Sequence, residues 1–249
     1  MSTRYHIGAR RLESSLAAYA KRFDFLEVPM PARGRPAPTP ATLKRWRKQV
    51  PPHFDFSVVV GPAASELKAG AELDHDLEAA MHAADALQAR CMLVVTPPTV
   101  TPAAVWRDRL EKVTARLARD ATLVAWEPRG LWEIDDARRV AHKLGVVLVV
   151  DPSRDPVPEG PVAYTRLRAL GETRSYGATA LERVVEAVGV RRDAYVVIET
   201  QSALAECKLL RRLGQGTGRK QGGMGRVIRP REAAAALAAS LRVKDDEQE

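Results

Sequence analysis

Charged residues recur in this chain at the ends of short apolar runs, and their types suit acid/base work or the holding of an anion. Glu27 closes the run from Phe23 to Val28, Glu127 closes the run from Thr122, and Glu199 directly follows the run from Ala194 to Ile198. Asp151 follows Val146 to Val150, Arg166 and Arg168 close the run that begins at Val162, and Arg129 stands two residues beyond Glu127. Side chains alternate across a strand, so Phe25 shares a face with Glu27, Ala125 with Glu127, and Tyr164 with Arg166 and Arg168. Two carboxylates in one pocket, Glu27 and Glu127, can act as a general acid/base pair or as oxygen ligands for a hard cation such as Mg²⁺. Arg129 and Arg166 can clamp an anionic group of a ligand, because a guanidinium matches carboxylate or phosphate bidentately. Trp126 and Trp132 flank Glu127, where they can wall a pocket, stack on a sugar or base, or simply pack in the core. The same charges can instead form an ion-pair plug, with Glu127 against Arg166, since an unpaired buried charge is prohibitively costly.

Eight β-type runs must position these groups: Arg4 to Gly8, Phe23 to Val28, Phe54 to Val60, Cys91 to Val95, Thr122 to Glu127, Val146 to Val150, Val162 to Leu167 and Ala194 to Ile198. Helical patterns fill most gaps, over Leu12 to Arg22, Thr39 to Gln49, Asp74 to Ala89, Pro102 to Arg119, Leu131 to Leu144, Ala178 to Val188 and Ser202 to Leu213. Thr39 and Thr101 each precede a Pro suited to a first helical position, and Gly145 suits a left-handed stop. Four prolines between Asp151 and Pro161 leave no room for a full helix. Alternating strands and helices predict a (β/α)₈ TIM-type barrel over residues 1–213 with one βα unit lacking a full helix; an open doubly wound sheet is the alternative. In a barrel, the charges named above gather at the C-terminal strand ends, the face on which barrel active sites are built.

With strands placed, Trp126-Glu-Pro-Arg-Gly-Leu-Trp132 resembles the E-x-R-x-x-W signature of the YecE-like family, also known as DUF72, a group of barrel proteins without an assigned function. Phe25-Leu-Glu-Val28, Phe54-Asp-Phe-Ser-Val58, Leu93-Val-Val-Thr-Pro-Pro98 and Tyr164-Thr-Arg-Leu167 resemble further family segments in the same order, over roughly residues 4 to 210. The resemblance implies a barrel fold and supplies no reaction. Departures from the family pattern put an ancestral activity in doubt: Pro29 replaces Asn, Val60 lies near the usual Lys, Arg168 replaces His and Glu199 replaces Asn. The loop expected after the first strand is also missing, because Gly8-Ala-Arg-Arg-Leu12 runs almost straight into a helix.

The remaining features narrow the field. The net charge of +8 comes from 39 basic and 31 acidic residues, and an Arg-rich composition can signal an anionic partner or only genome base composition. Beyond Leu213, residues 214–249 read as a glycine-rich basic connection, a short Ala-rich helix from Arg231 to Leu241 and a frayed acidic end. Two basic segments, Arg33 to Lys48 and Gly214 to Arg231, are the candidate contacts for non-specific nucleic acid. Asp74, Glu78 and His82 share a helical spacing, but Asp74 is better read as a helix N-cap, with Asp76 and Glu78 in the first turn, and no metal site is expected. The longest apolar runs are too short to cross a bilayer, and the start lacks the apolar stretch of a secretory leader, so the expected location is cytoplasmic with no membrane partner. Cys91 and Cys207 are expected as reduced core residues. The leading expectation is a small anionic ligand, phosphorylated or nucleotide-like, at the C-terminal face, with acid/base or metal-assisted hydrolase or isomerase chemistry available there. A nucleic-acid-associated accessory protein and a degenerated site are the alternatives.

Overall fold

The computed structural model describes residues 3–10, 12, 15–32, 34–119, 122–169 and 175–221, with side chains as far as Gln215. Strands β1 (Arg4–Ala9), β2 (Phe25–Pro29), β3 (Asp55–Val59), β4 (Cys91–Thr96), β5 (Leu123–Pro128), β6 (Val147–Val150), β7 (Val162–Leu167) and β8 (Asp193–Ile198) form one parallel sheet, ordered β1-β8-β7-β6-β5-β4-β3-β2. Helices α1 (Leu16–Ala20), α2 (Pro40–Gln49), α3 (Pro62–Ser65), α4 (Ala71–Leu87), α5 (Ala104–Leu117), α6 (Ile134–Leu144), α7 (Ala178–Val188) and α8 (Ala203–Gln221) alternate with them. The sheet curls into a nearly closed (β/α)₈ barrel. No helix lies between β6 and β7, as the four prolines require.

Strands buried on both faces explain the apolar runs. Outward residues such as Leu26, Phe56, Val94 and Trp126 pack under the helices, and Phe25, Leu93, Tyr164, Tyr195 and Val197 fill the lumen. Cys91 and Cys207 are both buried and unbridged, and burial pushes the Cys91 thiol up to about 12. Among the described residues, no helix is long and apolar enough to cross a membrane.

Closure depends on the seam between β1 and β2. A Cβ on Gly8 would lie 2.5 Å from the Phe25 carbonyl oxygen, so only glycine permits this approach. The Asp24 N–H donates to the Ile7 carbonyl at 2.9 Å, and the buried Tyr19 hydroxyl of α1 bridges the rest. That hydroxyl accepts from the Ala9 N–H at 2.8 Å and shares its own proton between the carbonyls of Phe25 (2.9 Å) and Ala9 (3.2 Å). Tyr19→Phe is therefore expected to leave buried backbone groups unpaired and cost about 1–3 kcal/mol in urea unfolding, with faster exchange of the Ala9 amide. A loss below 0.5 kcal/mol, on the order of a neutral surface change, would show that the seam closes without this hydroxyl.

Several local expectations are corrected. Helix α5 starts at Ala104 with Ala103 as its cap, rather than at Pro102 behind Thr101, and α1 is shorter than Leu12 to Arg22. Asp74 is not an N-cap: α4 starts at Ala71 behind Gly70, and Asp74 pairs with Arg116 at 2.7 Å. Asp76 is buried and accepts from the N–H groups of Ala63 (2.7 Å) and Ala64 (3.3 Å), so it caps the short α3 that the sequence pattern did not predict. The glycine-rich connection does not begin at Gly214, because α8 continues to Gln221. A Cβ on Gly214 would lie 2.7 Å from the Tyr5 ring, so the glycine there serves close packing of helix on strand. Arg33 and residues 222–249, with the Ala-rich stretch and the acidic end, lie outside the described residues.

Candidate functional site

At the C-terminal ends of the strands, Arg166 of β7 is the hub. Its guanidinium meets Glu27 at 2.7 Å, Glu199 at 2.8 Å and Glu127 at 3.0 Å, so three carboxylates from β2, β5 and the exit of β8 converge on one cation. The Glu127 contact lies off the N–H direction, which makes it an ion pair rather than an aligned hydrogen bond. Burial is nearly complete, with 7% of the Arg166 side chain and 4% of Glu127 exposed. The Tyr164 hydroxyl donates to Oε1 of Glu27 at 2.6 Å, from the same strand face as Arg166.

Above this layer lie three more arginines. Arg168 reaches both Glu127 and Glu199, Arg129 donates to Glu127 at 3.2 Å, and Arg10 stands 4.0 Å from Glu199. Their side chains are 37%, 51% and 60% exposed, so each touches the carboxylate layer on one side and solvent on the other. Four guanidinium groups against three carboxylates leave an excess of one positive charge. Beside Arg129, a cavity of about 280 Å³ is walled by Met30, Val60, Val95 and Pro98, with Ser65 and the Glu66 carboxylate also in its lining. That volume is at the lower end for a small-molecule site.

The surrounding charges fix the state of Glu127. Burial would raise the Glu127 carboxyl, but the positive charges of Arg166, Arg168 and Arg129 outweigh it and hold the group below its ordinary value. Glu127 is thus a fixed anion that carries no proton to donate near neutral pH. Burial would likewise lower the Arg166 pKa, but the charges of Glu27 and Glu127 hold it above its ordinary value. Burial and then the Glu27 charge push the Tyr164 phenol well up, so it remains a donor. Among the described residues, nothing bonds Oε2 of Glu27, which leaves that oxygen for water or a ligand. A Mg²⁺ ion held by Glu27 and Glu127 would need the position that the Arg166 guanidinium fills, and the described residues contain no group of three His, Cys, Asp or Glu side chains suited to a metal.

Glu27, Glu127, Arg129, Arg166, Arg168 and Glu199 therefore come together, whereas two residues with expected ligand roles do not join them. Asp151 fastens loops: its Oδ1 accepts from the Ser153 N–H and hydroxyl, and its Oδ2 from the Arg168 N–H at 3.1 Å. Trp132 packs outside the barrel, with its ring centroid 4.9 Å from that of Trp126 and its Nε1–H donating to the Val100 carbonyl at 2.8 Å. The sequence pattern places Tyr164 on the face of Arg166 without assigning it a role, and it gives no role to Arg10, which follows the period of two from Gly8. In the basic segment ending at Lys48, Arg47 donates to the Phe54 carbonyl at 2.7 Å and Trp46 packs on the core, so among the described residues Arg35, Lys44, Arg45 and Lys48 are its exposed cations.

A second charged cluster, at the N-terminal strand ends, was also missed. The His6 ring lies between Asp55 (3.2 Å) and Asp193 (3.1 Å) and stacks on Tyr195, whose hydroxyl donates to Asp55 at 3.1 Å. Burial opposes ionisation of Asp193, but hydrogen bonds from Arg4, His6 and Arg192 prevail and hold it down to about 2. This cluster closes the other end of the lumen.

Comparison with known proteins agrees with the fold. Residues 2–234 match the family model described as "Protein of unknown function DUF72". A DUF72 family protein from Enterococcus faecalis V583 superposes with a TM-score of 0.64 at 17% identity, covering 85% of this chain and 97% of that one. Another from Thermotoga maritima MSB8 gives 0.62 at 17% identity, covering 84% and 99%. A D-tagatose 3-epimerase-like protein gives 0.57 at 13% identity, covering 86% and 99%, which bears on the fold alone. No curated protein matches the chain.

Proposed function

Since the chain belongs to the DUF72 family, described only as proteins of unknown function, its role must be argued from the site, and we propose that it binds a small anionic ligand at the C-terminal face of the barrel. The observation that carries this is the rim of Arg10, Arg129 and Arg168, held from below by Glu127 and Glu199 and open to solvent above. Pre-oriented guanidinium groups lose little conformational freedom on meeting a phosphate or carboxylate. Met30, Val60, Val95 and Pro98 in the adjoining cavity suit the body of a small phosphorylated molecule whose anionic group lies towards Arg129 and away from Glu66.

Any proton transfer would fall to Glu27. Tyr164 and Arg166 fix one of its oxygens and leave the other to accept a proton from a bound molecule. Glu127 would position Arg129, Arg166 and Arg168 rather than exchange protons, so hydrolase or isomerase chemistry is proposed only through Glu27. A nucleic-acid role has less support, because Arg47 and Trp46 are used in packing. A cytoplasmic location fits the buried, unbridged thiols and remains part of the proposal.

Inorganic phosphate titrated into the full chain by calorimetry tests the site. The double variant Arg129→Met, Arg168→Met is expected to bind at least about tenfold more weakly, as the loss of charge-assisted hydrogen bonds implies, with an unchanged circular dichroism spectrum. Equal affinity in the variant, or no binding of phosphate or sugar phosphates by the wild type, would overturn the proposal.

A further inference from the structure

Surface charges are paired unevenly around the barrel. On the side covered by α4, α5 and α6, cations meet carboxylates: Arg107 with Asp136, Arg116 with Asp74 and Arg119 with Asp85, each at 2.7 Å, and Lys143 with Glu111 at 3.3 Å. Within α6, Arg138 and Arg139 pair with Asp135 and Asp136 one turn away. The flank formed by α8, α1 and α2 differs. Lys21 and Arg22 at the end of α1, Lys44, Arg45 and Lys48 on α2, and Lys208 and Arg212 on α8 are exposed, and among the described residues none of them has an acidic partner. Nearby acid is already engaged. Asp24 meets Arg211 at 2.7 Å, and Glu206, the only acidic residue in the sequence of these three helices, is buried and accepts from the Tyr176 N–H at 2.6 Å.

The unpaired cations share one surface. The Cys207 thiol of α8 donates to the Arg22 carbonyl at 3.6 Å, which seats α8 against the end of α1, and α1 packs against α2. Lys44 and Lys48 stand four residues apart, as do Lys208 and Arg212, so like charges are neighbours along both helices. Such spacing weakens a helix by itself and becomes favourable against a polyanion.

We propose that the flank of α8, α1 and α2 docks on the sugar–phosphate backbone of duplex nucleic acid, without reading its sequence. Adjacent helices about 10 Å apart make a strip about 20 Å across, over which a duplex presents one phosphate charge about every 1.7 Å of its axis. A membrane surface would call for apolar side chains among the cations. The exposed large hydrophobics of the described residues, Leu12, Val105, Leu131 and Val190, lie on none of these three helices. A single strand would call for exposed rings on which bases stack, but Tyr19 is buried and Trp46 packs on the core. Arg47 is engaged with the Phe54 carbonyl and takes no part. The flank lies outside the barrel wall, apart from Arg10, Arg129 and Arg168 at its mouth, so this contact stands or falls independently of the anion site.

Fluorescence anisotropy of the full chain with a labelled mixed-sequence duplex of about 24 base pairs, over a series of salt concentrations, tests the docking. The triple variant Lys44→Ala, Arg45→Ala, Lys48→Ala is expected to bind at least about tenfold more weakly at low salt and to lower the slope of log affinity against log salt by about 2–3. Lys208→Ala with Arg212→Ala, on a different helix, should lower the slope by about 2. Alanine favours helix at exposed positions, and an unchanged circular dichroism spectrum confirms that the fold is kept. The control triple Lys112→Ala, Arg154→Ala, Arg183→Ala removes exposed cations of other faces and should stay within about threefold of the wild type. No duplex binding by the wild type would overturn the proposal, as would full binding in both flank variants or an equal loss in the control. Tighter binding of a single strand of the same length, or of anionic phospholipid vesicles, would also overturn it.

Discussion

Replacing Arg166 with Met is expected to cost the barrel about 3–5 kcal/mol in urea unfolding at pH 7, the usual loss when one partner of a buried charge cluster is removed. The guanidinium is the common partner of Glu27, Glu127 and Glu199. Without it, Glu127 and Glu199 keep Arg168 at the rim and Glu27 keeps only the Tyr164 hydroxyl, so carboxylates from three strands face one another in a closed layer. Arg166→Lys should recover only part of the loss, since an ammonium cannot present a planar fork to three acceptors. The pH dependence gives a second readout. In the wild type the Glu127 carboxyl is held below its ordinary value, so its contribution is complete above the ordinary carboxylate range and is lost only as pH falls through the lowered value. Arg166 is the largest charge that lowers it, so the Met variant binds a proton at Glu127 at higher pH than the wild type does. The gap between the two proteins should therefore narrow from pH 7 to pH 5, by on the order of 1 kcal/mol. A loss under about 1 kcal/mol, or a gap that does not change with pH, would mean that the carboxylates do not depend on this cation.

Most of the scaffold could be read from the residues because its signals are local. Parallel strands buried on both faces leave continuous apolar runs, and the period of two along those runs groups Phe25 with Glu27, Ala125 with Glu127 and Tyr164 with Arg166, whereas only the closed sheet shows that this face is the lumen. Trp132 escaped that logic. Beyond Pro128 the chain turns through Gly130 at φ +88, where a Cβ would lie 2.7 Å from Pro98, so the strand phase no longer applies and Trp132 emerges on the helix side. The cluster of His6, Asp55 and Asp193 was illegible for another reason. His6 and Asp193 are 187 residues apart, and both aspartates begin their strands, so only barrel closure brings the three together. Likewise, glycine content argued against helix after Leu213, but it carries no information about the Tyr5 ring that Gly214 accommodates.

Trp126→Ala is expected to cost about 3–5 kcal/mol while leaving phosphate affinity of the folded protein unchanged. Trp126 is fully buried, although the next residue, Glu127, belongs to the charged layer. Alternation sends the two opposite ways: Glu127 into the lumen, and Trp126 outward beneath the helices. There its Nε1–H donates to the Thr96 hydroxyl at 3.0 Å and its ring stands edge-on to Trp132, which the Arg107 guanidinium covers at 6.0 Å. Truncation removes the volume of an indole, leaves Thr96 without its donor and frees one face of Trp132, so cavity and hydrogen-bond losses add. Trp126→Phe keeps much of the ring and loses only the N–H, which predicts a cost of about 1–2 kcal/mol. The pair of variants, read by urea unfolding and by phosphate titration of the folded fraction, separates support of the scaffold from contact with the ligand. A tenfold fall in phosphate affinity in Trp126→Phe, with the fold intact, would place the indole at the site and contradict the strand phase on which the whole assignment of Glu27, Glu127 and Arg166 to the lumen depends.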